Sequence, residues 1–253
     1  MKLKALVLFT VMYLSLSTSA QVLNIEKKRL DQDTISKVLG NFSALFHIQK
    51  QQGTITDVDL DANIAKLTTL HSYLLIGNLK FIKARGQEVT SRGHVHGRSV
   101  FFRKQLVSPE VFAQLQYDDL RGMSQRKLAG AGPHFRVLSK DKIHVTTGTS
   151  LMYEYESWDF NNQKEKTELF KSSNYISCHI SLNNFHYNGA VYYQRKFDFS
   201  ESYRFLTDHY MSIDLSKKVS FLIKFNQWFD STPIIEGIHR STYNLTTGLK
   251  IKF

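Results

Sequence analysis

The sequence predicts an all-β fold, namely a closed antiparallel transmembrane β-barrel with an even number of strands, about twelve. From Ser36 onward, segments of alternating apolar and polar residues are separated by polar breaks. Beyond the N-terminal leader, no apolar run reaches the roughly 18 residues that a helical membrane span needs. Aromatic residues make up 13% of the chain and there are only 3 prolines, which favours strands over disorder. A barrel strand is apolar on one face only, so a mean hydropathy of −0.29 agrees with this fold.

The N-terminus has the pattern of a secretory signal peptide. Lys2 and Lys4 precede an apolar run over residues 5–16, and small residues lead up to Ala20. We therefore predict a signal peptide at 1–20, a short periplasmic arm at 21–35 and the barrel at 36–253. Export predicts a place in the outer membrane of a Gram-negative bacterium. Cys178 is the single cysteine, so the chain forms no internal disulfide.

The alternation predicts twelve strands, separated by breaks of two lengths that take turns along the chain. Short turns facing the periplasm and longer extracellular loops are typical of outer-membrane barrels. Pro133 falls inside the sixth strand, where it removes a ladder hydrogen bond and predicts a bulge. The predicted strand spans are 37–49, 54–67, 71–84, 93–106, 111–119, 127–138, 143–156, 168–182, 185–196, 202–214, 218–229 and 240–253.

Placing the apolar face of each strand toward lipid sends the ionisable side chains inward. A Lys or Arg that faced hydrocarbon at the midplane would cost about 2 to 4 kcal/mol. The interior is therefore predicted to be a packed polar network or a narrow water-filled pore. The predicted lumen-facing residues are Asp57, Asp59, Asp61, His94, His96, Arg98, Arg136, His144, Glu154, Arg204, Asp208 and Lys224.

Two kinds of chemistry are alternatives to simple filling of a polar interior. His94 and His96 stand two apart on one strand face, and with the aspartates of strand two they make a divalent metal ion conceivable. A lipid-modifying hydrolase would need a serine beside a histidine, such as Ser150 near His144. Ser177 near His179 would be the other such pair. Serine and histidine abound in any polar interior, so the prediction is a non-enzyme without catalytic residues, metal or cofactor.

The net positive charge of the chain indicates which partners it can bind. The formal net charge is +11, and export disfavours nucleic acid as the acidic partner. Outer-membrane lipid and the phosphates of lipopolysaccharide fit better outside the barrel, and anionic solutes inside it. A soluble secreted β-barrel or β-sandwich that binds a ligand remains a further alternative.

Aromatic residues near the strand ends are suited to the girdles that line both membrane interfaces. They are Tyr153, Tyr155, Trp158, Tyr192, Tyr193, Phe197, Phe199, Tyr203, Phe205, Trp228 and Phe229.

The last segment, YNLTTGLKIKF at residues 243–253, alternates between an apolar and a polar face and ends on an aromatic residue. Thr246, Gly248, Ile251 and the terminal Phe253 resemble the C-terminal signal of bacterial outer-membrane barrels. That resemblance implies recognition by the barrel-assembly machinery and pairing of the last strand with the first.

Longer segments resemble a known family. They are NIEKKR at 24–29, FAQLQYDDLRGMSQRKLAGAGPHFRVL at 112–138, GTSLMYEYE at 148–156 and YYQRKFDFSESYRF at 192–205. Together they are similar to the family called domain of unknown function 481 (DUF481), which includes the salt-induced, YdiY-like outer-membrane proteins. The resemblance implies an outer-membrane barrel but brings no catalytic or binding residues. We therefore expect a monomer that is an envelope structural protein or a narrow pore for small solutes, including anionic ones, linked to osmotic or salt stress.

Overall fold

The computed structural model describes residues 37–50, 53–197 and 201–251. The predicted signal peptide, the arm at 21–35 and Phe253 lie outside these residues. The described chain forms an all-β antiparallel sheet, as predicted, and no helix in it is long and apolar enough to cross a membrane. Its strands are β1 (Lys37–Lys50), β2 (Thr54–Leu67), β3 (Ser72–Ala84), β4 (Gln87–Val100), β5 (Val107–Asp118), β6 (Met123–Lys140), β7 (Ile143–Phe160), β8 (Gln163–Ser181), β9 (Phe185–Lys196), β10 (Tyr203–Asp214), β11 (Val219–Asp230) and β12 (Ser241–Ile251).

The twelve described strands form one sheet in which each strand pairs with its neighbours in chain order, from β1 to β12. A single 3₁₀ turn, Asp119–Arg121, lies between β5 and β6. The meander explains why sequence periodicity located most strands correctly. Consecutive strands joined by short connections pair without any crossover, so each alternating segment maps onto one strand.

Two connections that were predicted to be long loops are tight turns. Arg85 and Gly86 join β3 to β4 with φ values of 52° and 81°. Asn161 and Asn162 join β7 to β8 with φ values of 51° and 64°. Two successive residues with positive φ match the twist of a hairpin, so the strands continue up to the turn. The predicted loops at 85–92 and 157–167 are therefore wrong, because most of these residues are paired in strands.

The fourth strand is shifted relative to its prediction. It ends at Val100 instead of residue 106, and residues 101–106 form a connection on the side that was predicted to carry only short turns. Neighbouring strands hold this connection in place. The Ser108 hydroxyl of β5 donates to the Phe102 carbonyl at 2.9 Å, and the Arg136 backbone N–H of β6 donates to the Leu106 carbonyl at 2.9 Å. The predicted alternation of short turns with mostly longer loops is thus not observed, although the connection at residues 231–240 is long.

The bulge predicted at Pro133 lies elsewhere in β6. Ala131 pairs with Leu151 and His134 with Gly148, so the register is unchanged across the proline although the pairing lapses between them. Pro133 lies opposite Pro109 of β5, where neither residue has an N–H to leave unpaired. The register with β7 shifts instead between Met123 and Gln125 and between Arg136 and Leu138.

The sheet curls strongly, with its polar face on the concave side. Side chains from strands that are not neighbours meet across this face. Arg98 of β4 bonds to Tyr175 of β8, and Arg204 of β10 bonds to Glu154 of β7. Arg126 of β6 lies over the ring of Trp228 on β11. Such contacts require β4 to β11 to wrap around a shared interior.

Candidate functional site

The candidate site is the concave face, where the sheet register gathers the polar residues. Residues paired across neighbouring strands share a face, and so do residues two apart on one strand. By this rule, all twelve predicted lumen-facing residues lie on the concave face. The structure brings several of them together with residues that were not predicted, in two charged clusters.

The first cluster, which we call the Glu154 cluster, consists of Glu154, Glu156, Arg126, Lys171 and Arg204. Glu154 accepts hydrogen bonds from Arg126 Nε at 2.8 Å and Nη2 at 2.5 Å, from Lys171 Nζ, and from Arg204 Nη1 at 3.2 Å. Glu156 accepts from both terminal nitrogens of Arg204, at 2.8 and 3.2 Å. Both carboxylates are only 1% exposed. Asp230 supplies a third negative charge, since its carboxylate accepts from Arg204 Nη2 at 2.8 Å. Three cations and three carboxylates therefore balance one another inside the fold.

An aromatic ring supports the cations of the Glu154 cluster. The guanidinium carbons of Arg204 and Arg126 lie 4.5 and 5.1 Å from the centroid of Trp228. Arg121, in the 3₁₀ turn, lies 4.1 Å from the same centroid. Burial lowers the pKa of Arg121 to about 10, partly offset by the attraction of Asp118. Arg121 therefore still carries its charge at neutral pH, and Trp228 is the common cation–π partner of three arginines.

The second cluster, which we call the Tyr175 cluster, consists of Arg98, Glu110, His134 and Tyr175. Arg98 Nη2 lies 2.5 Å from both the Glu110 carboxylate and the Tyr175 hydroxyl. The same hydroxyl donates to Glu110 at 3.0 Å and lies 2.7 Å from His134 Nδ1. Gly148 makes room for the ring, because a Cβ at this position would lie 2.4 Å from it.

A cavity of about 90 Å³ lies between the two clusters. Every strand from β4 to β11 contributes to its wall, which includes Arg98 and Glu110 of the Tyr175 cluster and Arg126 of the Glu154 cluster. His96, Gln114 and Gln194 add polar groups, and Trp228 adds an aromatic surface. The polar interior is thus filled at two levels and hollow between them.

An apolar cluster covers the Glu154 cluster from the loop side. It joins Met123, Trp158, Leu206, Trp228 and Ile235, which are all buried. Ile235 comes from the connection at 231–240 and is only 2% exposed. The base of this connection is fixed where the Ser231 N–H donates to the Tyr203 carbonyl at 2.9 Å. The loop between β11 and β12 therefore folds inward and plugs this end of the interior.

The other predicted residues lie on the same face but outside the two clusters. Asp59 accepts from Asn78 at 3.3 Å and from Lys80 at 3.4 Å, and Asp208 accepts from Asn226 at 2.6 Å. His96 bonds to Gln114, and Arg136 donates to the Arg103 carbonyl. Lys224 is exposed. The remaining predicted residues are partly buried, and they are Asp57, Asp61, His94 and His144. The predicted set is therefore one face but several local environments.

The metal site and the hydrolase, which the sequence left as alternatives, have little geometric support in the described part of the chain. Within residues 37–50, 53–197 and 201–251, no group of three or more His, Cys, Asp or Glu side chains could hold a metal ion. The Ser177 hydroxyl lies 2.9 Å from the hydroxyl of Thr146, and the Ser150 hydroxyl donates to the Ser173 carbonyl at 3.1 Å. The His144 ring lies 6.0 Å from that of His179.

Sequence reasoning missed several central residues. The predicted strand spans leave Glu110 and Arg126 in connections. Lys171 and Tyr175 lie in the predicted inward phase, but no sequence pattern distinguishes them from their neighbours. The aromatic assignment was wrong at three positions, because Trp158, Tyr192 and Trp228 face the interior instead of forming an interfacial girdle. The sequence did contain a signal for Trp228. It stands two residues from Asn226, in the polar phase of β11, and this phase predicts that it faces the interior.

We expect Glu154→Gln to destabilise the fold strongly. The substitution keeps the shape but removes the charge shared by Arg126, Lys171 and Arg204, leaving buried cations with too little compensation. Breaking such a buried network typically costs about 3 to 5 kcal/mol. Urea unfolding of the purified protein, followed by tryptophan fluorescence, measures the loss, since Trp158 and Trp228 both border this region.

The matched control is Asp159→Asn, which removes a carboxylate from an exposed pair near the end of β7. Asp159 and Lys164 lie 3.2 Å apart, and their side chains are 47% and 79% exposed. Solvent screens such a pair, so the change in unfolding free energy should stay below about 1 kcal/mol. Equal unfolding midpoints for the two variants would contradict the central role of Glu154.

Comparison with known proteins adds a family and two structural likenesses. No curated protein matches the chain. The solved structure of a KdgM porin aligns over 86% of this chain and 99% of its own, with 10% identity and a TM-score of 0.40. A NanC porin aligns over 85% and 98%, with 8% identity and a TM-score of 0.43. The family model "Protein of unknown function, DUF481" matches residues 52–253. The chain therefore belongs to the DUF481 family, as the sequence motifs indicated.

Proposed function

We propose that this protein is a monomeric outer-membrane β-barrel with a filled interior, which serves as a structural component of the envelope. In this proposal, β12 pairs with β1 and closes the sheet around the two charged clusters. With twelve antiparallel strands, β1 and β12 run in opposite directions, which is the geometry that antiparallel closure needs.

The observation that carries the proposal is the composition of the convex face. Its Asp, Glu, Lys and Arg side chains lie toward the strand ends, and the middle of the face is mostly apolar within the described strands, with Thr149, Asn174 and His209 as polar exceptions. Large apolar side chains there are well exposed, including Phe46, Leu75, Val95, Leu115, Leu151, Ile176 and Leu245. Soluble monomers rarely expose apolar patches beyond about 300 to 600 Å². A band that runs over most strands is typical of a surface in contact with lipid.

Closure follows from the cost of an open edge in such a surface. The outer edges of β1 and β12 present backbone N–H and C=O groups over long strands. In hydrocarbon, each unsatisfied backbone group costs several kcal/mol, because no water replaces the missing partner. Pairing β1 with β12 satisfies both edges at once. The export signal and the C-terminal Thr246, Gly248, Ile251 and Phe253 agree with assembly in the outer membrane.

The filled interior supports a structural role over a wide pore. The Glu154 cluster, the Tyr175 cluster and the Ile235 plug occupy the space enclosed by β4 to β11. A narrow pore is the second candidate, and one observation favours it. Near β1 and β11 the concave face is less filled, since His47 and Lys224 are exposed there. The basic Lys224 would give such a pore a preference for anions.

The substitution Leu151→Arg tests whether the convex face meets lipid. Leu151 is 55% exposed near the middle of β7. In a membrane barrel, an arginine at this depth should cost up to about 2 to 4 kcal/mol and lower the yield of protein refolded into lipid vesicles. The measurement is the fraction that shows heat-dependent mobility on a gel after refolding.

Leu120→Arg is the control, because Leu120 is 56% exposed but lies in the 3₁₀ turn outside the strands. It should refold like the unmodified protein. If Leu151→Arg refolds equally well, or if the unmodified protein stays in solution without vesicles, the convex face is a water-exposed surface and the membrane proposal fails.

Conductance across a planar bilayer separates the two candidate roles. A filled interior predicts no discrete conductance steps for the refolded protein. Steps with anion preference would favour the pore instead, and Lys224→Glu should then reverse that preference. Lys217→Glu, an exposed change in the connection between β10 and β11, should leave the selectivity unchanged. Large steps without selectivity would contradict the structural role.

A further inference from the structure

We propose that the cavity between the Glu154 and Tyr175 clusters binds a small, neutral, hydroxyl-bearing solute. His96 and Gln194 are the residues that accept hydrogen bonds from it. They face the cavity from β4 and β9, and each is only 6% exposed. His96 Nε2 and Gln194 Oε1 are buried and have no hydrogen-bond partner among the described residues. Buried polar atoms are normally satisfied by protein, water or a ligand, so both atoms are available to a molecule that enters the cavity.

The hydrogen-bond network assigns His96 Nε2 as an acceptor. Gln114 Nε2 donates to Gln116 Oε1 at 2.8 Å, which fixes the orientation of the Gln114 amide. Its oxygen, Oε1, therefore faces His96 Nδ1 at 3.0 Å. An oxygen acceptor there requires the proton on Nδ1, and in the neutral imidazole the opposite nitrogen then carries a lone pair.

Gln194 presents a second acceptor by the same reasoning. Its Nε2 donates to the Ser173 hydroxyl at 3.4 Å, which leaves the amide oxygen as the group without a partner. The cavity wall thus carries two acceptors on strands that are not neighbours. A molecule that satisfies both must bring at least two hydrogen-bond donors.

The surrounding charges select among such molecules. A simple carboxylate has no donor to offer these acceptors when ionised, and a hydroxy acid such as glycolate offers one where two are needed. A cation has donors, but it would enter beside the guanidinium groups of Arg98 and Arg126, which line the same cavity. A neutral molecule with hydroxyl groups avoids both problems. Phe112, Leu128 and Met152 supply apolar contacts for its carbon atoms.

The size of the cavity sets the size of the solute. About 90 Å³ gives room for roughly three water molecules, at about 30 Å³ each. A single molecule of only a few non-hydrogen atoms, such as glycerol, would fill it. The inference does not depend on the proposed role in the membrane, because the cavity lies within β4 to β11 and can be tested on the purified protein in detergent.

Saturation-transfer NMR on the full-length mature protein tests the inference, with glycerol as the probe. The detergent should carry no hydroxyl groups, for example an alkyl dimethylamine oxide. We expect transfer to the glycerol protons, and at least a fivefold weaker transfer in His96→Phe and in Gln194→Met, which remove the acceptors at similar volume. Glycolate and ethanolammonium, probes of similar size with opposite charges, should show no transfer above the detergent background.

The controls are His186→Phe and Gln227→Met, which change the same residue types outside the cavity. They should keep the transfer of the unmodified protein. The fluorescence of the buried Trp158 and Trp228 verifies that each variant is folded. Either cavity variant suffices if the other does not fold. The proposal is overturned if glycerol receives no transfer, so that the cavity holds water alone. It is also overturned if a folded cavity variant retains full transfer, or if glycolate or ethanolammonium is bound as well as glycerol.

Discussion

The structure depends on the mutual neutralisation of charges that the curled sheet holds away from water. Glu154 and Glu156 could not be buried singly, because removing a carboxylate from water costs several kcal/mol. Arg126, Lys171 and Arg204 offset this cost only if β6, β7, β8 and β10 keep their register and curvature. A slip of one residue would move these charges onto the apolar face. The network thus specifies pairing as well as stability.

The same constraint explains the two faces of the sheet. Since side chains alternate along a strand, gathering the charges on the concave face leaves a convex face that is largely apolar. The concave face is then filled in layers, with the Tyr175 cluster, the cavity, the Glu154 cluster and the Ile235 plug in sequence. The apolar surface and the filled polar interior are therefore two consequences of one pattern.

Sequence periodicity predicted the faces well because the period of two is a local property. It placed Asp59, Arg98, Glu154 and Arg204 on the concave face without any knowledge of the fold. The geometry of the turns was harder to predict from the sequence. The hairpin at Asn161 and Asn162 lies in a polar stretch that resembles a loop, and only its two positive φ values show that the strands continue to the turn.

Contacts across the interior could not be predicted, because they depend on curvature. Arg98 and Tyr175 are 77 positions apart and lie on strands that do not pair, so no alternation relates them. Trp158 and Trp228 lie near strand ends, as girdle aromatics do, but their strand phase turns them inward. The apolar plug could not be predicted either, because it depends on the path of the connection at residues 231–240. The presence of an isoleucine at position 235 does not reveal that path.

The most direct test of the account is a scan of lipid contact along β12. Single cysteines at residues 243–248, in a Cys178→Ser background, carry a fluorescent label in vesicles that contain brominated lipid, which quenches only labels in contact with the bilayer. The account predicts alternation, with strong quenching at Tyr243, Leu245 and Thr247 and weak quenching at Asn244, Thr246 and Gly248. Equal quenching at both sets of positions, or none at either, would contradict it.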